Sequence, residues 1–185
     1  YKARKEAMKI AVYNEKGGSG KTTTAVSVAV AMDLPLLDLD QQATATQWLK
    51  QRESTLVAAK KNDETWIADC PPGISAAIVS TLAAADLVLV PVRASFPDLV
   101  TLPATMTFLR ANTNAKLGFV CSDIDRRTND EAMLREALQV HDSPVLGVFA
   151  HRASYRRSGI NGSIASEVDT SAITEINDLV KNIKE

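Results

Sequence analysis

Only two cysteines occur in 185 residues, Cys70 and Cys121. They stand apart, without the paired spacing of a structural zinc site, which excludes a disulfide scaffold and points to free thiols in a reducing cytoplasm. No apolar run approaches the roughly 20 residues needed to span a bilayer, and the first residues hold no export-type apolar stretch. An excess of one charge is missing too: 21 Lys and Arg against 22 Asp and Glu leave a formal net charge of -1. That argues against a protein coated in nucleic acid by bulk charge, while leaving room for a local basic patch. Internal repeats and low-complexity segments are absent. What remains is a chain with 45% apolar and 23% charged residues, the proportions of a soluble globular protein. It is long enough to bury a core without disulfides or metal. Residues 1–7, ahead of Met8, read as a short basic leader or a cloning remnant, and 8–185 as a single domain.

Along that domain apolar strands alternate with helices. Lys9 to Asn14 reads as a strand, and Thr22 to Met32, apolar on nearly every face and free of Gly and Pro, as a buried helix. Leu36 to Asp40 is a short strand ending in acid. A helix is expected from Gln41 to Gln51, with Trp48 and Leu49 on one side, and the polar stretch from Lys50 to Glu64 is expected to be loop with some helix. Thr65 to Asp69 is a third strand and Ile74 to Ala85 a helix. Asp86 to Val92 is a continuous apolar run, as in a strand buried on both faces. Leu99 to Ala111 is predicted helical, with Pro103 limiting its start or kinking it. Leu117 to Cys121 and Val145 to Phe149 are strands, Asp130 to Val140 and Ser171 to Lys184 helices. The pattern predicts an α/β fold, a mainly parallel sheet with helices on both faces, whose ligands bind beyond the carboxyl ends of the strands.

The stretch Glu15-Lys16-Gly17-Gly18-Ser19-Gly20-Lys21-Thr22 lies between the first strand and the first helix. Glycines at 17, 18 and 20 let backbone N–H groups converge on an anion at the positive end of a helix. Lys21 is placed to reach the outer phosphates of a nucleotide, with the Thr22 hydroxyl as a magnesium ligand and Thr23 completing the first helical turn. Asp69 ends a hydrophobic strand, the place of a Walker B aspartate that binds a water on Mg²⁺. Asp38 and Asp40 lie two apart, so on a strand they point the same way, and two carboxylates there suit a metal and an attacking water.

The general phosphate-loop pattern wants Gly where Glu15 stands, and here Lys16 and a Gly pair follow instead. Lys16-Gly17-Gly18-Ser19-Gly20-Lys21-Thr22 resembles the deviant Walker A loop of the ParA/MinD family of P-loop NTPases. Leu36 to Thr46 is similar to that family's Asp-x-Asp-Pro-Gln-x-x-x-Thr segment, with Gln41 in place of Pro. Asp69-Cys70-Pro71-Pro72-Gly73 is similar to its nucleotide-responsive Asp-x-Pro-Pro-Gly segment. The resemblance implies an ATP-dependent homodimer with Mg²⁺ as cofactor. Lys16 would cross to the partner's triphosphate, Asp40 would position the attacking water, and Asp38, Asp69 and Thr22 would serve magnesium. It further implies slow hydrolysis stimulated by a centromere-binding or other partner protein, and a cytoplasmic, nucleoid-associated role in partition of a plasmid, a chromosome or other cargo. With no helix-turn-helix ahead of Met8, the likeness is to the small partition proteins. Two connections, from the first helix to Leu36 and from Leu49 to Thr65, are shorter than in that family. Ser122 stands where its members often carry an Asn near the base.

Family members commonly bind DNA without sequence preference, and the arginines here suit that. Ser143 to Ser166 holds Arg152, Arg156 and Arg157 without one acidic residue, and Arg126 with Arg127 forms a second basic pair. The alternative is arginines on a solvated face. The last helix carries Ile173, Ile176, Val180 and Ile183 at helical spacing, with Lys181 and Lys184 balanced by Glu175, Asp178 and Glu185. This reads as core docking and not as a membrane tail. His141 and His151 are expected to be structural. Two other functions share the scaffold: a small-molecule kinase or ligase of the dethiobiotin synthetase kind, and a nucleotide-gated scaffold with little hydrolysis.

Overall fold

The computed structural model describes residues 7–52, 63–160 and 162–185. The expected strands form: β1 (Lys9–Val12), β2 (Leu36–Asp38), β3 (Trp66–Asp69), β4 (Leu87–Arg93), β5 (Lys116–Ile124) and β6 (Val145–Ala150). They lie in one sheet, in the order β2-β3-β1-β4-β5-β6, and the pairings along it are parallel. The central strands are continuously apolar because both faces are covered. Ile10, Val12, Ile67, Leu87 and Leu89 face one layer, while Ala11, Tyr13, Ala68, Val88 and Val90 face the other. The first layer is α1 (Lys21–Met32), α2 (Thr44–Gln51) and α8 (Thr170–Lys184); the second is α3 (Ala76–Ala84), α4 (Phe96–Asn112) and α5 (Asp130–Gln139). Two short helices, α6 (Ala153–Arg157) and α7 (Ala165–Val168), connect β6 to α8.

Local chemistry sets the boundaries. The tight return from α1 to β2 turns on Asp33, left-handed at φ 53°, whose N–H reaches the carbonyls of Ala29 and Val30; this explains how so few residues suffice. α4 begins at Phe96, three residues ahead of the expected Leu99. The Ser95 side chain accepts from the Asp98 N–H, and Pro97 sits in the first turn, where its missing donor costs nothing. Pro103 lies inside the helix and neither starts nor ends it. It is exposed, on the outer face of the helix. α8 docks through Ala172, Ile176, Leu179 and Ile183, all buried. Ile173, expected on that stripe, is 41% exposed, and Leu179 takes its place. Burial of side chains of this size contributes roughly 1.5–3 kcal/mol each. Among the described residues no helix is long and apolar enough to cross a membrane. Most of the predicted loop at 50–64 lies outside the described residues.

Candidate functional site: a phosphate loop at the carboxyl edge of the sheet

β1 ends against its neighbours with Val12 level with Asp69, and Asp69 level with Asp38. The chain leaving β1 therefore emerges beside both acids. Asn14, 2% exposed, fixes the exit. Its amide donates to the Pro91 carbonyl on β4 at 2.8 Å, and its carbonyl accepts from the Lys16 N–H at 2.9 Å. The loop then turns through Gly18 (φ 75°) and Gly20 (φ 99°), conformations that glycine adopts freely. A side chain at Gly20 would also run into the Ser122 hydroxyl on β5. Ser122, expected near a base, thus sits against the loop itself. Ser19 is fully buried, and its hydroxyl has no partner among the described residues.

Lys21 folds into the loop. It is buried, and its ammonium donates to the Lys16 carbonyl at 2.8 Å. Burial pulls its pKa below the usual lysine value, opposed by the nearby Asp69, Cys70 and Asp40. Lys16 differs: it is half-buried, and its ammonium meets no acceptor among the described residues. Asp69 is 2% exposed and lies beside Thr22. Burial raises its carboxyl to about 7; the neighbouring Thr22 side chain opposes this, and the charge of Asp38 adds to it. Tyr13 holds the segment after β3, donating to the Gly73 carbonyl at 3.0 Å.

Asp38 and Asp40 are less alike than their spacing suggests, because β2 ends at Asp38. One Asp38 oxygen accepts from the Thr46 N–H and hydroxyl, both at 2.8 Å, and the other accepts from the Asp40 N–H at 3.1 Å. Asp38 therefore holds the start of α2. Asp40 stands in the following turn with one oxygen accepting from the Gln42 N–H at 2.9 Å, and its other oxygen is unengaged among the described residues.

This donor set fits a magnesium nucleotide. The loop offers convergent N–H groups, a buried hydroxyl without a partner and a buried ammonium, and Thr22 with Asp69 offers hard oxygen ligands beside them. A titration follows. The folded chain keeps a proton on Asp69 that the unfolded chain releases near pH 4, so stability falls as pH rises from about 4 to 7 and stays lowered above that. Asp69→Asn is expected to raise the melting temperature of the nucleotide-free protein at pH 8, with a gain that shrinks toward pH 5. The full difference is on the order of 4 kcal/mol, read from thermal unfolding at several pH values.

The arginines are largely spoken for. Arg126 and Arg152 converge on Glu175, 5% exposed, which also accepts from Tyr155 and the Ala150 N–H. Arg127 forks onto Asp125 at 2.7 and 2.9 Å. The acid-free stretch from Ser143 to Ser166 thus meets its carboxylates from elsewhere in the chain. Arg156 and Arg157 on α6 are exposed, so the basic patch expected of five arginines contracts toward these two. A cavity of about 580 Å³ beside Glu175 is bordered by Arg126 and Arg152, both already engaged with that carboxylate. The cavity at the loop is smaller, about 280 Å³, bordered by Gly18, Gly20, Thr23, Arg93, Asp123 and Arg156. Sequence reasoning passed over Asn14, Arg93, Asp123 and the partners of His151. His151 Nδ1 lies 2.7 Å from Asp123, and its Nε2 lies 2.6 Å from Arg156. The one available signal was Asn14, a polar residue between an apolar strand and the glycines.

Comparison with known proteins agrees with this geometry. The model of the CobQ/CobB/MinD/ParA nucleotide binding domain matches residues 10–165. Maintenance of carboxysome distribution protein A of Halothiobacillus neapolitanus is 25% identical over 212 residues, covering 98% of each chain. That alignment is longer than the chain itself because it opens gaps here, in keeping with short connections. The chromosome-partitioning ATPase Soj of Thermus thermophilus is 27% identical over 194 residues, 75% of this chain and 78% of Soj. The septum site-determining protein MinD of Pyrococcus horikoshii, solved with Mg-ADP, superposes with a TM-score of 0.73 at 20% identity, covering 96% of each chain.

Proposed function

Because the chain belongs to the CobQ/CobB/MinD/ParA nucleotide-binding family, we propose that it is an ATP-dependent, dimerising ATPase of the ParA type that positions DNA or another cargo. The observation that carries this reading is the division of labour between two lysines in one loop. Lys21 is buried against the Lys16 carbonyl, where it serves the nucleotide of its own chain. Among the described residues the Lys16 ammonium meets no acceptor, and it is left to serve a second copy. Two triphosphates brought face to face repel, and a cation given by each protomer to the other's nucleotide offsets that repulsion. Ile74, Phe96 and Val100, which are 59%, 81% and 59% exposed, lie near the carboxyl ends of β3 and β4, at the same end of the sheet as the loop. They suit apolar contact in such a dimer.

Thr22 and Asp69 hold magnesium, with Asp38 behind them, and the loop N–H groups and Lys21 orient the phosphates. Bound magnesium supplies neutralisation of phosphate charge. Asp40, through its unengaged oxygen, orients the attacking water. Hydrolysis is slow without a stimulating partner, a centromere-binding protein or its cargo-borne counterpart. Nonspecific DNA is held chiefly by Arg156 and Arg157, while Arg126, Arg127 and Arg152, already paired with carboxylates, contribute less; dimerisation doubles this patch and makes binding steeply salt-dependent. The relatives' names, one for carboxysome distribution and one for chromosome partition, support a positioning role and leave the cargo to experiment.

Sedimentation with Mg-ADP, with an uncleavable ATP mimic, and with the mimic plus nonspecific DNA tests the proposal. The expected result is a monomer with ADP, a dimer with the mimic, and DNA co-sedimenting with the dimer alone. A monomer under saturating mimic contradicts it. Lys16→Ala should bind nucleotide within about threefold of wild type yet weaken the dimer at least about tenfold, since a buried, charge-assisted contact is lost. An intact dimer in that variant would remove Lys16 from the interface.

A further inference from the structure

We propose that Arg93 is a positioning residue of the nucleotide site, one that aims the Ser19 N–H of the phosphate loop before any nucleotide arrives. The inference rests on the reading of this loop as a phosphate site. Arg93 is the last residue of β4, and its guanidinium bridges two elements. Nη1 donates to the Gly18 carbonyl at 3.2 Å and Nη2 to Asp123 at 2.8 Å. A trans peptide holds its C=O and the following N–H in opposite directions. Holding the Gly18 carbonyl against Arg93 therefore fixes the Ser19 N–H on the opposite edge of that peptide. Among the described residues that N–H donates to nothing, so it is free for an anion.

The loop cannot fix this peptide alone. Gly17 and Gly18 have no side chains to restrict them, and a Cβ at Gly17 would meet nothing nearby. A flexible glycine peptide samples both orientations, and a phosphate arriving at a disordered nest must bear the ordering cost. Arg93 lowers that cost from outside the loop. Asp123 holds the guanidinium in place, and is itself steadied from its other oxygen by His151 Nδ1 at 2.7 Å. Asp123 adopts a left-handed φ of 60°, uncommon for a residue other than glycine, which brings its carboxylate to a point between β4 and β6. The fork is needed because one group must reach two acceptors, and a lysine ammonium is a point donor on a flexible stem.

The test is Mg-ADP binding by wild type, Arg93→Ala, Arg93→Lys and Asp123→Asn, with the Ser19 amide followed by ¹H–¹⁵N NMR before nucleotide is added. Arg93→Ala should bind Mg-ADP about tenfold more weakly, the scale of one lost hydrogen bond to a site-forming group. Its nucleotide-free Ser19 amide resonance should shift, and millimolar guanidinium should restore most of the affinity. Arg93→Lys and Asp123→Asn should fall between it and wild type, and the Arg93→Ala/Asp123→Asn pair should be no worse than Arg93→Ala alone. Unchanged affinity in Arg93→Ala overturns the inference. So does weaker binding with an unmoved Ser19 amide and no rescue, which would make Arg93 a scaffold contact only. If wild type itself fails to bind Mg-ADP, the phosphate-site reading fails and not the role of Arg93 within it.

Discussion

Lys21→Ala is expected to weaken Mg-ADP and Mg-ATP binding by at least about 100-fold, with no loss of thermal stability in the nucleotide-free protein. Both halves come from the same geometry. A lysine facing phosphate oxygens in a partly desolvated loop makes charge-assisted hydrogen bonds, each roughly twice the strength of a neutral one. Removing it also leaves the phosphate charge uncompensated, so the loss exceeds the roughly 2.7 kcal/mol that a 100-fold change represents. In the nucleotide-free protein the balance is different. Burial already works against the Lys21 charge, and its bond to the Lys16 carbonyl offsets only part of that cost. Alanine removes the buried charge, and the freed carbonyl belongs to a half-exposed residue that water can reach. Titration calorimetry and a melting curve read the two together. Lost binding with an unchanged or higher melting temperature supports the assignment. Binding within about threefold of wild type would mean that the phosphates are held elsewhere.

Much of this site is legible in the amino-acid sequence because its parts are local. A phosphate loop is a run of adjacent residues, and glycines, lysines and the flanking apolar strand and helix all lie within it. Asp69 is legible for the same reason, as the acid ending a continuous apolar strand. The central strands are read easily because a parallel sheet covered on both faces leaves unbroken apolar runs. What escapes is set by contacts between distant positions. α6 and α7 are too short for a period, and tertiary bonds tie the chain around them: Trp48 donates to the Ser163 carbonyl, and Arg52 pairs with Glu167. The partners of His151 come from Asp123 and Arg156, and those of Arg152 from Glu175. A count of charges along one segment therefore overstates its positive field, as it did for Ser143 to Ser166. The start of α4 was hidden differently. Two prolines compete for it, and the capping hydroxyl of Ser95 decides in favour of Pro97, whereas the more central Pro103 draws attention in the sequence.

Asp40→Ala should lower the steady-state ATPase rate by at least about 100-fold, the usual scale of a positioned acid–base group, while nucleotide affinity stays within a few-fold. The ATP-bound dimer should then persist, because the step that dissolves it is blocked. Only Asp40 of the two neighbouring acids is free to act in this way. Asp38 is committed through both oxygens, to Thr46 and to the Asp40 N–H. Asp40 engages one oxygen with the Gln42 N–H, and among the described residues its other oxygen is unengaged, as an acid that orients a water requires. Asp38→Ala should accordingly show a different signature: loss of the N-terminal anchor of α2, a melting temperature lower by several degrees, and a fall in ATPase rate that accompanies the structural loss. Phosphate release and sedimentation on both variants separate the roles. If Asp40→Ala hydrolyses ATP at the wild-type rate while Asp38→Ala is inactive and fully folded, the water belongs to Asp38. The turn after β2 would then be a scaffold for that acid. If Asp40→Ala loses hydrolysis and the ATP dimer together, Asp40 serves the closed dimer itself and hydrolysis only through it.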